Sequence, residues 1–553
     1  MPHVVTQPCC ADASCAFACP VNAIHPTPDE PDFATADMVY IDPVSCVDCG
    51  ACVGACPVGA IKADTKLADH ELPFVELNRL FHEERATPPI QAPVPPVVGR
   101  RERGRLSVAV VGAGPAALYA ADELLRRPGV EVTVIDRLPT PYGLVRAGVA
   151  PDHPETRTID RLFRMIEDQD GFSYALGVEV GTDVSHAELS AGHDAVVYAT
   201  GASSDRRLGI PGEDLAGSAT ATDFVAWYNG HPDHVADRFD LSHERAVVVG
   251  NGNVALDVAR VLATDPERLA STDVADHALE ALRASRVREV VVLARRGPGQ
   301  SAFTLPEITG LAERDDIELV VDGDLGTVVD DRMDQQKIEV LRAALSSQRV
   351  LPGSRRVVLR YRRTPVEILG EDAVTGVRLA RTDLVTGDGQ VRAVLTDETE
   401  LLETGIVLRS IGYRGRPIAD LPFDEHRAVV PNVRGRVDDM PGVYVVGWIK
   451  RGPTGFIGTN KTCATETIDR LFEDANSGRL VPPARRGLPV ATAESAIDRE
   501  GWRRIDRWER RLGLAQGRVR VRLTDREEMR RVAAVSPAVP DRGRRRRRVA
   551  LRA

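Results

Sequence analysis

Beyond residue 56 this chain of 553 residues has a single cysteine, Cys463; the other eight lie before residue 57. That distribution excludes a disulfide framework, and it leaves no close cysteine pair for thiol–disulfide exchange in the long C-terminal part. Long hydrophobic runs are also missing. The longest, Val108 to Ala121, is too short to span a bilayer and carries glycines, so no membrane insertion is expected. The first residues hold cysteines where a signal peptide would have its apolar core. Clustered free thiols point to a reducing cytoplasm. Basic residues are scarce at the start: Asp12, Asp29, Glu30, Asp32, Asp37, Asp42, Asp48 and Asp64 face only Lys62 and Lys66 within residues 1–67. Most of the net charge of −10 therefore sits in this segment, which would be steered toward a basic docking face. The apolar content of 43% is ordinary for a globular protein, and the length suggests about three or four domains.

What the N-terminus does have is a run C-x2-C-x2-C-x3-C-P at Cys46, Cys49, Cys52, Cys56 and Pro57. Three thiolates on one tight loop grip three corners of an iron–sulfur cubane, and the fourth ligates the other cluster of a two-cluster ferredoxin. A partner run stands upstream at Cys9, Cys15, Cys19 and Pro20, and both runs share their exit: Cys19-Pro20-Val21-Asn22-Ala23-Ile24 against Cys56-Pro57-Val58-Gly59-Ala60-Ile61. The crossover rule assigns Cys46, Cys49, Cys52 and Cys19 to one cluster, and Cys9, Cys15 and Cys56 to the other. In the upstream run Asp12 takes the slot of the missing cysteine. Three thiolates suit a [3Fe-4S] cluster; Asp12 as a ligand would instead hold a fourth iron and give [4Fe-4S]. Cys10 is a spare thiol. Zinc is the competing reading, but zinc ligands usually come as two separated pairs.

Prolines 88, 89, 93, 95 and 96, followed by arginines up to Arg105, read as an extended spacer. Leu106 to Val111 is then a buried parallel strand by its apolar run. Gly112-Ala113-Gly114-Pro115-Ala116-Ala117 gives G-x-G-x-x-A before a helix through Leu125, and a second strand ends in Asp136, 24 residues after Gly112. The glycines admit a pyrophosphate at the helix N-terminus, and the acid accepts from a free ribose. A second copy follows the strand Ala246 to Val249: Gly250-Asn251-Gly252-Asn253-Val254-Ala255. Its next strand, Glu289 to Leu293, ends near Arg295 and Arg296 in place of an acid, which suits the 2′-phosphate of NADP. Asp194 to Gly201 and Val443 to Trp448 read as strands at which the chain leaves and re-enters the first nucleotide domain. Arg451 to Gly458 then opens a helix whose amides would face the electron-rich edge of a flavin.

With the strings Pro139-Thr140-Pro141-Tyr142-Gly143-Leu144-Val145-Arg146, Gly148-Val149-Ala150-Pro151-Asp152-His153-Pro154, Gly250 to Asp257 and Gly447-Trp448-Ile449-Lys450-Arg451-Gly452-Pro453-Thr454-Gly455, the chain resembles the adrenodoxin reductase family of ferredoxin–NADP reductases. Here that unit is fused to an N-terminal seven- or eight-iron ferredoxin. The resemblance implies FAD contacts at Gly112, Gly114, Pro115, Ala116, Asp136 (the family usually has Glu), Leu144, Val178, Trp448, Gly455, Phe456 and Ile457. It implies NADP contacts at Gly250, Asn251, Gly252, Asn253, Val254, Arg295, Arg296, Glu307 and Gly455. It sets His153 and Glu307 near the nicotinamide–flavin centre; a purely structural role for His153, fixing the loop before Pro154, stays open.

The fold expected is α/β: a small α+β ferredoxin unit (1–67), a Pro/Arg-rich linker (68–105), and paired Rossmann-like domains. In the pair the FAD part (106–205 and 410–480) is interrupted by an NADP part (206–409), and a C-terminal extension (481–553) follows. In that extension Ile505, Trp508 and Leu512 share one helix face, read as core packing. Arg544 to Arg548 read as a solvated tail and not a nucleic-acid site. The resemblance implies hydride transfer between NADPH and FAD, then single electrons to or from the fused domain, an external ferredoxin or a cytochrome P450. Two alternatives are a flavin/iron–sulfur subunit of a larger reductase, of the glutamate synthase small-subunit kind, and a redox sensor.

Overall fold

The computed structural model describes residues 2–83, 105–325, 331–347, 353–387 and 390–535. The proline run from 88 to 96 and the arginines 544–548 lie outside the described residues.

The N-terminal unit is an internal repeat in three dimensions. Helix Ser14–Ala18 and helix Ala51–Ala55 occupy matching places 37 residues apart. Left-handed backbone recurs at the same offset: Ala11, Ala13 and Asn22 in the first half match Asp48, Gly50 and Gly59 in the second. In this alignment Asp12 stands where Cys49 stands. Strand His3–Val5 pairs antiparallel with Ile61–Ala63, and Ile24–His25 with Tyr40–Ile41, so each half contributes to both ribbons. The unit does not stop at residue 67, as the expected linker 68–105 has it. Helix Pro73–Glu83 folds back onto it, burying Phe74, Leu77 and Leu80. The Asn78 side-chain Oδ1 accepts from the Val5 and Ile41 amides at 3.2 and 2.8 Å. Those edge amides would otherwise be unpaired under an apolar helix, at about 1–3 kcal/mol each.

The next unit is built on a seven-stranded sheet. Leu106–Val111 lies at its heart, buried at every residue, between Val130–Asp136 and Ala195–Tyr198, all parallel. Phe172–Leu176 extends one side and Val443–Val445 the other, with Arg436–Val437 and Asn432–Val433 added antiparallel. The chain leaves this sheet after Tyr198 and returns at Asn432. Between them a second sheet of six parallel strands runs in the order Ser218–Thr220, Ile406–Arg409, Arg245–Val249, Glu289–Ala294, Arg355–Tyr361, Ile317–Asp322. An antiparallel meander, Arg363–Leu369, Gly376–Gly387 and Gln390–Glu403, projects from it; no motif in the sequence announces it.

The C-terminal extension straps the two nucleotide units together. Helix Arg499–Ala515 buries Trp502, Ile505, Asp506, Glu509 and Gly513. The face Ile505–Trp508–Leu512 expected to pack is therefore wrong in two of three members: Trp508 is exposed under Arg511, and Leu512 is half-buried. Carboxylates displace them because arginines wait inside. Glu509, fully buried, takes Arg146 at 2.5 Å, Arg520 at 2.9 Å and the Leu523 amide at 2.9 Å. Further on, Arg522 and Arg157 share Asp273 at 2.5 Å each, which ties the extension to both nucleotide units. Burial opposes the charge of Glu509, yet Arg146 and Arg520 hold its carboxyl below the usual range. A depressed carboxyl contributes stability above its unfolded pKa of about 4.3 and loses it as pH falls through the folded value. Glu509→Gln is thus expected to cost roughly 3–5 kcal/mol at neutral pH. Its deficit relative to the unmodified protein should shrink below about pH 4. Denaturant unfolding across pH measures both.

Candidate redox centre

The two glycine loops form because nothing larger fits. Gly112 has φ 106°, and a Cβ there would lie 2.5 Å from the Ala199 carbonyl oxygen. Gly250 has φ 114°, and a Cβ would lie 2.1 Å from that of Ser410. Each loop leads into a helix, Pro115–Leu125 and Asn253–Ala263, with Pro115 at the first position. Asp136, at the end of its strand, accepts the Ala113 amide at 2.8 Å and the Leu138 amide at 2.9 Å. It is locked against the first loop and keeps lone pairs for a ribose.

Trp448 opens the short helix Trp448–Arg451, because the strand expected to reach it ends at Val445 and Gly447 turns the chain at φ 76°. Its indole donates to the Thr454 carbonyl at 3.1 Å and its ring lies 5.2 Å from Tyr413. Gly455, Phe456 and Ile457 run directly into helix Thr459–Asn476, which packs along the glycine-loop helix. Leu144 is 42% exposed at the start of its own helix, whereas Val178 is buried with its amide on the Asp136 carbonyl. The buried Arg451 Nη1 has no hydrogen-bond partner. Glycine-lined backbone, a positioned acid, an exposed leucine and an orphaned guanidinium NH make a surface that fits FAD.

On the second sheet Asn253 is pinned by the Thr304 amide at 2.8 Å and Thr304 hydroxyl at 3.2 Å. Arg295 and Arg296 follow strand Glu289–Ala294. Their carbonyls are held by the Thr382 hydroxyl and the Arg362 amide at 2.6 and 3.2 Å. Neither guanidinium has a carboxylate partner among the described residues, so both remain available to a phosphate.

Between the nucleotide units lies a buried charge cluster. Arg260, 4% exposed, reaches Asp152 at 2.7 Å, Asp257 at 2.7 Å and Glu307 at 3.7 Å. Its Nη2 also lies 2.5 Å from His153 Nε2. His153, Asp257 and Glu307 offer three ligand atoms within 4.8 Å of one another, but Arg260 is already the cation among them. Burial works against the charge of Asp152, and Arg260 still holds it well below the usual carboxylate range. Burial pushes Glu307 up. Burial and Arg260 pull His153 down, but Glu307, Asp257 and Asp152 outweigh them and the net direction is up. The sequence had brought forward His153 and Glu307; it missed Arg260 as their hub. The available signal was a single arginine among Val258, Ala259, Val261 and Leu262, a charge in an apolar helix face that must find partners.

The cysteines separate into two groups. Cys9, Cys15 and Cys56 line one cavity together with Cys10 and Asp12. Cys19, Cys46, Cys49 and Cys52 line another. The first lies against the FAD-type unit: the Gly458 amide donates to the Cys10 carbonyl at 2.8 Å. Asp12 accepts from the Tyr119 hydroxyl at 3.1 Å and the Ser14 amide at 3.1 Å, and Lys461 Nζ lies 3.5 Å away. Nearby, Gln7 donates to Glu307 at 3.3 Å, and Asp37 caps helix Leu305–Ala312 by accepting the Leu305 amide at 2.9 Å. Three folded units thus meet at Glu307. Gln7, Asp37, Tyr119 and Lys461 carry no sequence signal of this role.

Fold and site define a flavoprotein-type oxidoreductase of paired nucleotide domains with an iron–sulfur module attached. Residues 106–348 match the pyridine nucleotide-disulphide oxidoreductase family, and residues 9–60 match the 4Fe-4S dicluster domain. The chain is 54% identical, over 98% of its length and 96% of the relative's, to a probable ferredoxin/ferredoxin–NADP reductase of Mycobacterium bovis. It is 51% identical to a protein of the same description from Mycobacterium leprae, over 97% of this chain and 99% of that one. The structure of Mycobacterium tuberculosis FprA in complex with NADPH superposes with a TM-score of 0.74 at 44% identity, covering 78% of this chain and 99% of that one. The chain belongs to the ferredoxin/ferredoxin–NADP reductase family. Among the described residues no helix is long and apolar enough to cross a membrane.

Proposed function

We propose that this protein oxidises NADPH and passes the electrons one at a time through its own ferredoxin unit to a separate acceptor, an external ferredoxin or a cytochrome P450. The observation that carries this is the contact of the Cys10–Asp12 loop with Gly458, one residue past the flavin-facing segment Gly455–Ile457. Bound FAD supplies the conversion between a two-electron hydride and single electrons. The residues do the rest. Gly112, Gly114 and the N-terminus of helix Pro115–Leu125 receive the FAD pyrophosphate, and Asp136 its ribose. Gly250, Gly252, Asn253 and the helix behind them receive that of NADP, with Arg295 and Arg296 on the 2′-phosphate. Glu307 and His153, held by Arg260, position the nicotinamide and exchange protons with solvent. An anaerobic NADPH titration followed by flavin absorbance and cluster EPR tests this reading. Flavin bleaching with growth of reduced-cluster signals supports it; clusters that stay oxidised defeat it.

The first cysteine cavity is read as a [3Fe-4S] site and the second as [4Fe-4S]. The Asp12 carboxylate is engaged by Ser14, Tyr119 and Lys461, which favours three thiolates over a fourth iron held by Asp12. Asp12→Cys, placed in the slot equivalent to Cys49, is expected to supply a fourth thiolate. The oxidised protein should then lose its three-iron EPR signal and gain one iron per chain by metal analysis; an unchanged signal would show that the slot is not a ligand position.

A further inference from the structure

The two clusters are not equivalent in this fold, and their burial sets an order. The repeat that builds the ferredoxin unit faces its two cysteine loops in different directions. The first loop, with Ala11, Asp12, Ala13 and Cys15, is buried. It is covered by Gly458, Tyr119 and Lys461, while the Pro57 carbonyl after Cys56 accepts from Thr158 at 3.3 Å. The second loop meets solvent. Cys49 is exposed, and around it stand Val44 at 91%, Val47 at 59% and Val53 at 40% exposure. Single exposed valines are unremarkable; three within ten residues around an exposed metal-ligand cysteine make a contact patch.

The charge of the patch names the kind of partner. Residues 1–67 hold no arginine and two lysines, and Lys62 is neutralised by Glu71 at 2.6 Å. Docking uses Asp12 and Asp37 on the reductase side. Asp48 stays exposed one residue before Cys49, its carboxylate 2.8 Å from His3 Nδ1. Strand pairing of His3 with Ala63 brings Asp64 to the same end.

We infer that the Cys9–Cys15–Cys56 site is the inner station, filled from the flavin, and that the Cys19–Cys46–Cys49–Cys52 site is the outer station, discharging through the Val44–Val47–Val53 face to a basic one-electron acceptor protein. The inference rests on the functional reading above. NADPH gives two electrons and becomes NADP+ with release of a proton. Each discharge moves one electron from the reduced outer cluster to the oxidised metal centre of the acceptor, and no bond to the protein forms or breaks.

The test uses the full-length holoprotein with cytochrome c, a basic haem protein, as probe. Val44→Lys places a repelling charge on the face, at a position too exposed to disturb the core. Asp48→Asn removes the acid with a residue that tolerates its left-handed backbone. Met165→Lys, on an exposed apolar residue of the reductase, controls for added charge. The expected result is a cytochrome c rate lower by about tenfold in Val44→Lys, with a smaller loss and a flatter salt dependence in Asp48→Asn. Met165→Lys should match the unmodified protein, and growth of both cluster signals with NADPH should be the same in all four. Equal cytochrome c rates in Val44→Lys and the unmodified protein, with both clusters reduced, would overturn the exit face alone. Clusters that NADPH leaves oxidised in the unmodified protein would overturn the functional reading beneath it.

Discussion

Gly458→Ala is expected to leave flavin reduction by NADPH intact and to slow cluster reduction, because electron transfer weakens with every ångström added between the flavin-facing segment and the ferredoxin unit. The backbone at Gly458 is ordinary, with φ −71°, so alanine meets no conformational penalty of its own. The obstacle is across the interface. A Cβ there would lie 2.1 Å from the Ala11 carbonyl oxygen, and 2.2 Å from the Ala11 carbonyl carbon and the Asp12 nitrogen. All three are backbone atoms and none can rotate away. The ferredoxin unit has to move off, taking with it the Gly458–Cys10 hydrogen bond and the grip of Tyr119 and Lys461 on Asp12. Stopped-flow absorbance for the flavin and freeze-quench EPR for the clusters separate the two steps. Cluster reduction that keeps pace in the variant would mean that electrons do not cross at this contact.

The second large effect concerns the nucleotide. Replacing Arg295 and Arg296 together by alanine is expected to lower kcat/KM for NADPH by about a hundredfold or more, since each hydrogen bond to a charged group is worth roughly 1.5–3 kcal/mol. The NADH value should stay unchanged or rise, because its ribose carries no phosphate for these residues to hold. The loss belongs in KM with little change in kcat, the signature of binding that is equal in ground and transition states. Thr382 and Arg362 grip only the carbonyls of the two arginines, so truncating the side chains leaves the strand end in place. Loss of NADH activity in parallel would mean that the pair supports the fold and does not read the 2′-phosphate.

How much of this was legible beforehand depends on how far each feature reaches along the chain. The cysteine runs, both glycine loops, Asp136 at one strand end and the arginines at another were legible because each sits within a strand–turn–helix unit of about 30 residues. Local spacing determines which atoms converge there. The interruption of one sheet by the other was legible for a related reason: apolar strands announce themselves wherever they fall. The helix face in the C-terminal extension was misread by the same rule. Periodicity weighs apolar residues, and there the buried positions belong to Asp506 and Glu509, chosen by arginines far away in sequence.

The sequence by itself determined the local arrangement: which cysteines share a loop, where the two glycine loops stand, and which strand ends carry Asp136 or Arg295 and Arg296. Tertiary structure alone decided the wiring. Arg260 finds Asp152 across 108 residues, Gln7 finds Glu307 across 300, and Lys461 finds Asp12 across 449. At such separations no periodicity links the partners, and only burial of shared surface brings them together. For the same reason the repeat could not say which of its two cysteine loops faces inward. Both halves share their cysteine spacing and exit, and the difference between inner and outer station arises where Gly458 offers room for one loop and solvent takes the other.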